Sequence, residues 1–479
     1  MTETGHPRAR RGRWRRRLAG SALLVLASLV AAELVLRARV ERVPLVVETG
    51  PGRLGVLPRR SGFAPLDVPA RPEALRIVYM GASMEVGFPF TPAYAPAAWV
   101  ERILAWRGVE AEVLCLACAG LSGRDTLNVL PDALALHPAA IVVGIGHNEY
   151  LRTDELLAPW WQRLELVRRL HALWAPTDVA DVAPTLDSDF DRSAVADGLR
   201  ETLRELEAMT AAAGVTLIVT VPVCNLADCP PMLGDDARLA ESPDAAWDRG
   251  RALLACGDVV GARAAFDRAL DTDRWPHRTT TALIGVILEE ARRVVRTDLA
   301  FDSASLTGVP GDDLFVDHCH PVPAGSRLLA VAVCDALEEF GVVPASGRAG
   351  QAPDLAILAE QAGVTPELVA QRRAEAARAY TLFALHTGRH GRMADVAAAR
   401  IAASAEGAFS PGEAQTMRAL LALLRGDVED ARARLQEVRR TSPQMLDTLA
   451  HGFAGYRWIR QAFEQNGLSL DDAAPAPGP

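Results

Sequence analysis

Between Leu75 and Val223 the chain repeats one pattern: a short, continuously apolar run followed by a longer stretch of mixed polarity. The runs are RIVYMG, AEVLCLAC, AIVVGIG and VTLIVTVPV, separated by APAAWVERILAWRG, RDTLNVLPDALALHP and a long segment ending in LRETLRELEAMTAAAG. A strand that is apolar at every position has both faces covered, which is the pattern of a parallel sheet between two layers of helices. The expectation is therefore a three-layer α/β domain over residues 75–345, with any ligand chemistry at the carboxyl ends of its strands.

That domain does not account for 479 residues, and single cores stop growing well short of this length. At the amino end, GHPRARRGRWRRR holds seven arginines between Arg8 and Arg17, and the apolar stretch Leu18–Leu36 follows. About 20 apolar residues can cross a bilayer as a helix, and arginines before them stay in the cytoplasm. Residues 1–17 are thus expected in the cytoplasm, 18–36 as an uncleaved single-pass anchor in the cytoplasmic membrane, and the remainder outside it. A cleaved signal peptide and a peripheral helix are the other readings of the same segment. Residues 37–74, rich in Pro, Gly and Arg, read as a linker with at most a short edge strand.

Two further stretches share a frame. GRALLACGDVVGARAAFDRALDTD places Leu253, Gly257, Ala262, Phe266 and Ala269 at the positions of a tetratricopeptide-type helix pair. ALLALLRGDVEDARARLQEVRRTSP repeats it with Gly426, Ala431, Leu435, Val438 and Pro443. The first is expected as a helical insertion at about 243–276, and the second belongs to an α-helical region over 346–470 that offers a surface for a protein partner. Residues 471–479 read as a disordered tail.

A net charge of −9 gives no basic face for nucleic acid. The seven cysteines show no CxxC framework. If the domain is exported, Cys224 and Cys229 in CNLADC are the nearest candidates for a disulfide.

Residues able to do chemistry stand at the ends of the predicted strands. The first strand closes in Gly81-Ala82-Ser83, a turn that can present a serine hydroxyl beside backbone N–H groups, or use it as a helix cap. After the second, Gly120 lets a backbone N–H approach a ligand closely, or simply makes a turn. After the third, GHNE carries Asn148, whose amide can donate to an oxyanion or cap a loop. Far downstream, FVDHCHP sets Asp317, His318, Cys319 and His320 in a row.

In this order and spacing the four blocks resemble those of the SGNH, or GDSL-like, hydrolases. The resemblance covers about Leu75 to Ala330 and is closest to the bacterial membrane-anchored members that carry tetratricopeptide-like helices. It implies Ser83 as nucleophile, Asp317 and His320 as its partners, and an oxyanion hole formed by the N–H groups of Ser83 and Gly120 with the Asn148 side chain. The block-one aspartate of the family is Ala82 here, and block three has His147 where threonine is common. A three-residue step at a turn lets Asp317 curl toward His320, leaving His318 and Cys319 to point elsewhere.

The implied activity is an exported serine esterase acting on an ester of the cell envelope, an O-acylated glycan among the candidates. Acyl transfer to an envelope polysaccharide and an inactive scaffold of the same fold are the alternatives. No cofactor is called for. A metal site in DHCH is set aside because adjacent side chains are expected to diverge and no HExxH or CxxC partner appears. Arg278, in WPHRTT after the inserted helix pair, could hold an anionic or sugar group of the substrate, or serve as a solvated or capping residue at a helix boundary.

Overall fold

The computed structural model describes residues 44–56, 62–90, 92–150, 192–234, 240–387, 392–403, 410–445 and 463–468. The chain divides into two units, and the described residues, Pro44 apart, all belong to the one formed by residues 45–152 and 183–479. The segment Leu18–Leu36 and the tail 471–479 lie outside the described residues. Among the described residues no helix is long and apolar enough to cross a membrane.

The four apolar runs form parallel strands. With a three-stranded element ahead of them, they are β4 (Leu75–Gly81), β5 (Ala111–Ala117), β6 (Ala140–Gly144) and β7 (Thr216–Thr220), and the short β8 (Val294–Val295) completes a five-stranded sheet of order β5-β4-β6-β7-β8. All four pairings are parallel. Because successive side chains in a strand face opposite ways, each run supplies two cores. Val78, Met80, Ile141, Val143, Leu217 and Val219 face one way and pack with Leu127, Leu130, Leu199, Leu203 and Leu283 of the helices Gly123–Ala135, Arg192–Ala212 and Thr281–Glu290. Ile77, Tyr79, Ala140, Val142 and Ile218 face the other way and pack with Trp99, Val100, Ile103, Val333 and Leu337 of the helices Pro96–Trp106 and Pro323–Glu339. The expected three-layer α/β architecture is what the chain adopts.

Two features depart from expectation or go beyond it. The stretch 37–74 is not merely a linker, since its later part folds into an antiparallel sheet, β1 (Val46–Gly50), β2 (Arg53–Val56) and β3 (Leu66–Pro69). Leu45, Val46, Val56 and Val68 join the first core, and the buried Asp132 carboxylate accepts the backbone N–H groups of Leu45 and Val46 at 2.8 and 3.1 Å. The strand β8 has only two residues, too few for any periodic signal.

Both repeat-like stretches do form helix pairs, Pro243–Ala255 with Val259–Thr272 and Pro411–Leu424 with Val428–Thr441. In the first, a Cβ at Gly250 would come within 2.7 Å of the Phe266 ring, so the two helices approach closely there. In the second, Ala431, Leu435 and Val438 are buried against Met417, Leu420 and Ile401.

The Asp132 contact makes a prediction. Asp132→Ala leaves two buried N–H groups without acceptors, which should cost about 2–4 kcal/mol in urea unfolding while the sheet β4–β8 stays native by circular dichroism. A change within about 0.5 kcal/mol would show that water replaces the carboxylate at no cost.

Candidate active site

Parallel pairing sets three strand ends level. Gly81 lies opposite Ala117 on one side and opposite Gly144 on the other. The chain leaves these three ends toward Ser83, Gly120 and Asn148, so their sequence separation disappears at one edge of the sheet. Ala82 is the N-cap of the short helix Ser83–Val86 and Ser83 is its first residue, with no side-chain capping bond. Ala82, not Ser83, thus holds the capping position. The Ser83 hydroxyl lies 2.9 Å from His320 Nε2.

His320 is held from behind. Its Nδ1 is 2.7 Å from Asp317 Oδ2, while Asp317 Oδ1 accepts the backbone N–H groups of Cys319 and His320 at 3.0 and 2.9 Å. An isolated bridge between Phe315 and Pro321, with the Val316 N–H donating to the His320 carbonyl at 2.8 Å, closes the segment into a tight loop. Asp317 and His320 are both buried. Burial alone would raise the Asp317 pKa, but the imidazoles of His320 and His318 and the hydrogen bonds from His320 and the Cys319 N–H hold it well below the usual carboxylate range. The edge of Phe88, half-exposed, meets the His320 ring at 4.8 Å between centroids.

Gly120 has φ of +79°, the left-handed region that favours glycine, and a Cβ there would meet nothing within 4 Å. The constraint on Gly120 is thus the turn and not close packing. Asn148 is buried, and its Nδ2 donates one hydrogen to the Leu121 carbonyl at 2.9 Å, tying the β6 end to the loop that carries Gly120. A primary amide has a second hydrogen for another acceptor.

Two buried carboxylic acids flank this edge, and sequence reasoning did not single them out. Glu85 Oε2 accepts the Ala82 N–H at 2.9 Å, and Oε1 has no hydrogen-bond partner. Oε1 occupies the space of absent side chains, since a Cβ on Gly144 would fall 1.9 Å from it. Glu149 Oε1 accepts the Gly123 N–H at 2.9 Å, a second tie between the β5 and β6 loops. Burial raises both acids to about 7. The signal available was the glutamate in SMEV and in GHNE, each a charge set among residues otherwise reading as buried.

Two expectations are corrected. Arg278 is not presented to a substrate. It is buried, and its guanidinium donates to the carbonyls of Asn225, Cys229 and Pro230 at 2.6, 2.7 and 3.1 Å, closing a loop of the chain's own backbone. Its segment does return to the sheet edge, where the Thr279 N–H donates to His147 Nδ1 at 3.3 Å.

The side chains of DHCH do not diverge either. Donor atoms of Asp317, His318, Cys319 and His320 all lie within 4.8 Å of one another. Asp317 and His320 already bond to each other, however, and burial with the Asp317 charge beside it holds the Cys319 thiol well above its usual pKa. His318 is partly exposed beside His277, with ring centroids 6.0 Å apart. Cys319 points into a core with Cys224, Trp247 and Phe266. Cys224 and Cys229, the candidate disulfide, are free thiols, and both are buried.

A cavity of about 1190 Å³ lies elsewhere, between Val322–Ala324 and the helices Leu355–Gln361 and Pro366–Thr387, and neither Ser83, Gly120, Asn148 nor His320 lines it.

No protein-family model and no curated protein sequence matches the chain. Solved structures that it is similar to include TesA, at 16% identity over 55% of this chain and 99% of that one, with a TM-score of 0.30. A catalytic mutant of Axe2, an acetylxylan esterase from Geobacillus stearothermophilus, matches at 17% identity over 56% of this chain and 94% of that one, with a TM-score of 0.31. A GDSL-like lipase from Bacteroides thetaiotaomicron matches at 12% identity, over 55% and 88%, with a TM-score of 0.29.

The buried acids predict a pH dependence. A carboxyl whose pKa rises from 4.5 in the unfolded chain to about 7 in the fold keeps its proton more tightly when folded. Its contribution to stability is fully present below pH 4.5 and is lost as pH rises through about 7. Glu85→Gln or Glu149→Gln should therefore flatten the loss of stability between about pH 5 and 7.5, by on the order of 1–3 kcal/mol for each acid. Parallel stability profiles for mutant and parent would show that these acids ionise in the fold at no cost. Arg278→Met should lower stability by about 2–4 kcal/mol by stranding three carbonyls, and unchanged stability would return Arg278 to the list of ligand contacts.

Proposed function

We propose that the protein is a serine hydrolase of ester bonds, with Ser83 as nucleophile, His320 as general base and Asp317 as the carboxylate that orients and stabilises the imidazolium. The observation that carries this reading is the unbroken chain from Ser83 Oγ to His320 Nε2 at 2.9 Å and from His320 Nδ1 to Asp317 Oδ2 at 2.7 Å. A serine with no cap to make, an imidazole and a buried charged carboxylate in this order form an activated nucleophile.

In the reaction, Ser83 Oγ bonds to the ester carbonyl carbon as its proton passes to His320 Nε2. The tetrahedral oxyanion is met by the Ser83 and Gly120 N–H groups and the second amide hydrogen of Asn148. His320 then returns the proton to the departing alcohol, leaving an acyl-serine. Water then gives a proton to His320 as its oxygen bonds to the acyl carbon, the bond from that carbon to Ser83 Oγ breaks, and Oγ takes the proton back from His320 as the acid leaves.

Location and substrate class extend the proposal. Arg8–Arg17 followed by the apolar Leu18–Leu36 supports a domain anchored in, and carried across, the cytoplasmic membrane. Esters within its reach there are those of the envelope, O-acylated glycans included.

Ser83→Ala should leave the fold intact, abolish labelling by a fluorophosphonate and lower ester turnover by about three orders of magnitude or more. Asn148→Ala should cost roughly 100-fold to 1,000-fold in kcat, whereas His318→Ala should cost far less than His320→Ala. The assay pairs p-nitrophenyl esters of increasing length with acetylated glycans. Folded protein that takes no label and turns over neither substrate class would leave only a scaffold.

A further inference from the structure

The loop carrying Asp317 and His320 is fixed on its outer side by groups that the chemistry proposed for Ser83 does not use. Asn225, fully buried beyond the end of β7, touches it twice. Its N–H donates to the His318 carbonyl at 2.9 Å, and its Nδ2 donates to the Asp317 carbonyl at 3.0 Å. The remaining polar groups of Asn225 fix its orientation. The other Nδ2 hydrogen goes to Asp312 Oδ1 at 2.7 Å, Oδ1 accepts the Asp228 N–H at 3.0 Å, and the carbonyl accepts Arg278. With both amide hydrogens and the amide oxygen assigned, the side chain has one orientation.

Asp312 is where the helical region enters. Its Oδ1 also accepts Arg400 Nη2 at 2.5 Å, from the helix Arg392–Ala403, and its carbonyl accepts Arg373 Nη2, from the helix Pro366–Thr387. Arg373 Nη2 also donates to the Phe315 carbonyl at 3.3 Å, one residue before the loop that holds Asp317 begins its turn back. The Arg400 side chain is nine-tenths buried, and its guanidinium lies over the Tyr380 ring at 5.6 Å. Arg400 Nη2 donates to the Asp228 carbonyl as well, at 3.4 Å, and removing Arg400 takes from the partly buried Asp312 carboxylate its direct ion pair, leaving Arg373 at the Asp312 backbone carbonyl as the nearby cation.

We propose that Arg400 is a positioning residue of the active site. It acts from the carboxy-terminal helical region through Asp312 and Asn225, and it fixes the backbone of Asp317 and His318 and hence the distance from Asp317 to His320. On this account the helical region completes the hydrolase site and is not a separate module tethered to it. The proposal rests on the roles given above to Ser83, His320 and Asp317, but its principal readout does not.

The test uses the full chain. The proton in the His320 Nδ1 to Asp317 Oδ2 hydrogen bond is followed as a low-field resonance in the proton NMR spectrum, whether or not an ester is turned over. Arg400→Met should broaden or shift that resonance and lower kcat by about 10-fold to 100-fold, with KM within about twofold, because a misplaced base slows chemistry more than binding. Arg400→Lys, which keeps the charge but not the fork, should recover part of both. Arg434→Met, which removes a cation of the same region paired locally with Asp430, should change neither.

If Arg400→Met does not fold, Asp312→Asn is read in its place, since it keeps the shape and removes the charge that Arg400 holds. A native resonance and native kcat in a folded Arg400→Met or Asp312→Asn protein overturns the proposal. So does a raised KM with an unchanged resonance, which would make Arg400 a binding contact. A shifted resonance in a protein that hydrolyses no ester would sustain the positioning role and sink the hydrolase reading alone.

Discussion

In a parallel sheet the strands all run out on the same side, and here the register is such that Gly81 faces Ala117 and Gly144 at one level. Everything at the candidate site depends on that coincidence. Three turns start side by side, so a serine, a glycine and an asparagine from three separate blocks need only two to four further residues each to converge. The glycines at two of these ends are also a matter of space, because Glu85 Oε1 lies where a Gly144 side chain would be and the Glu85 chain lies 2.7 Å from a Cβ at Gly81. The sheet edge is thus kept bare so that an acid can sit beneath the serine turn and hold the Ala82 N–H.

The fourth block does not come from a strand end, and its placement needs other means. A loop of seven residues bridged at Phe315 and Pro321 is too short to have a core of its own. Its interior is polar, with the Asp317 carboxylate accepting three hydrogen bonds, from His320 Nδ1 and from the backbone N–H groups of Cys319 and His320. Its outer side is bound to Asn225 and, through Asp312, to the helical region. Such a loop is as exact in position as the elements it leans on, which explains why groups more than 50 residues downstream bear on it.

The parts legible in the sequence were those with a repeating or local physical cause. Unbroken apolar runs such as AIVVG announced buried strands, because every one of their residues meets a helix layer. The positions of Ser83, Gly120 and Asn148 just past the strand ends were legible because each follows such a run. The antiparallel β1–β3 sheet was hidden by its Pro, Gly and Arg content and by strands of four or five residues, and β8 by its length. Arg278 misled because an arginine at a helix boundary reads the same whether it meets solvent or carbonyls. Its burial follows from the path of Asn225 to Pro230, which only tertiary structure determines. For the same reason nothing in CNLADC marks Asn225 as the hub it is.

Three buried carboxyl groups at this sheet edge would be costly if all were charged, and the partners each receives shift them in different directions. Asp317 has two imidazoles within reach and three hydrogen-bond donors, which outweigh burial and keep it ionised. Glu85 receives the Ala82 N–H on one oxygen and nothing on the other, and Glu149 has backbone donors but the Asp125 charge beside it, so burial wins and both are raised to about 7. A lasting negative charge therefore stands behind His320, while burial disfavours charge on Glu85 and Glu149. Were Glu85 equally ionised, its charge would lie under the Ser83 turn, where like charge would oppose the oxyanion proposed to form there. The uneven supply of donors to three similar side chains favours charge behind His320 and disfavours it beneath Ser83.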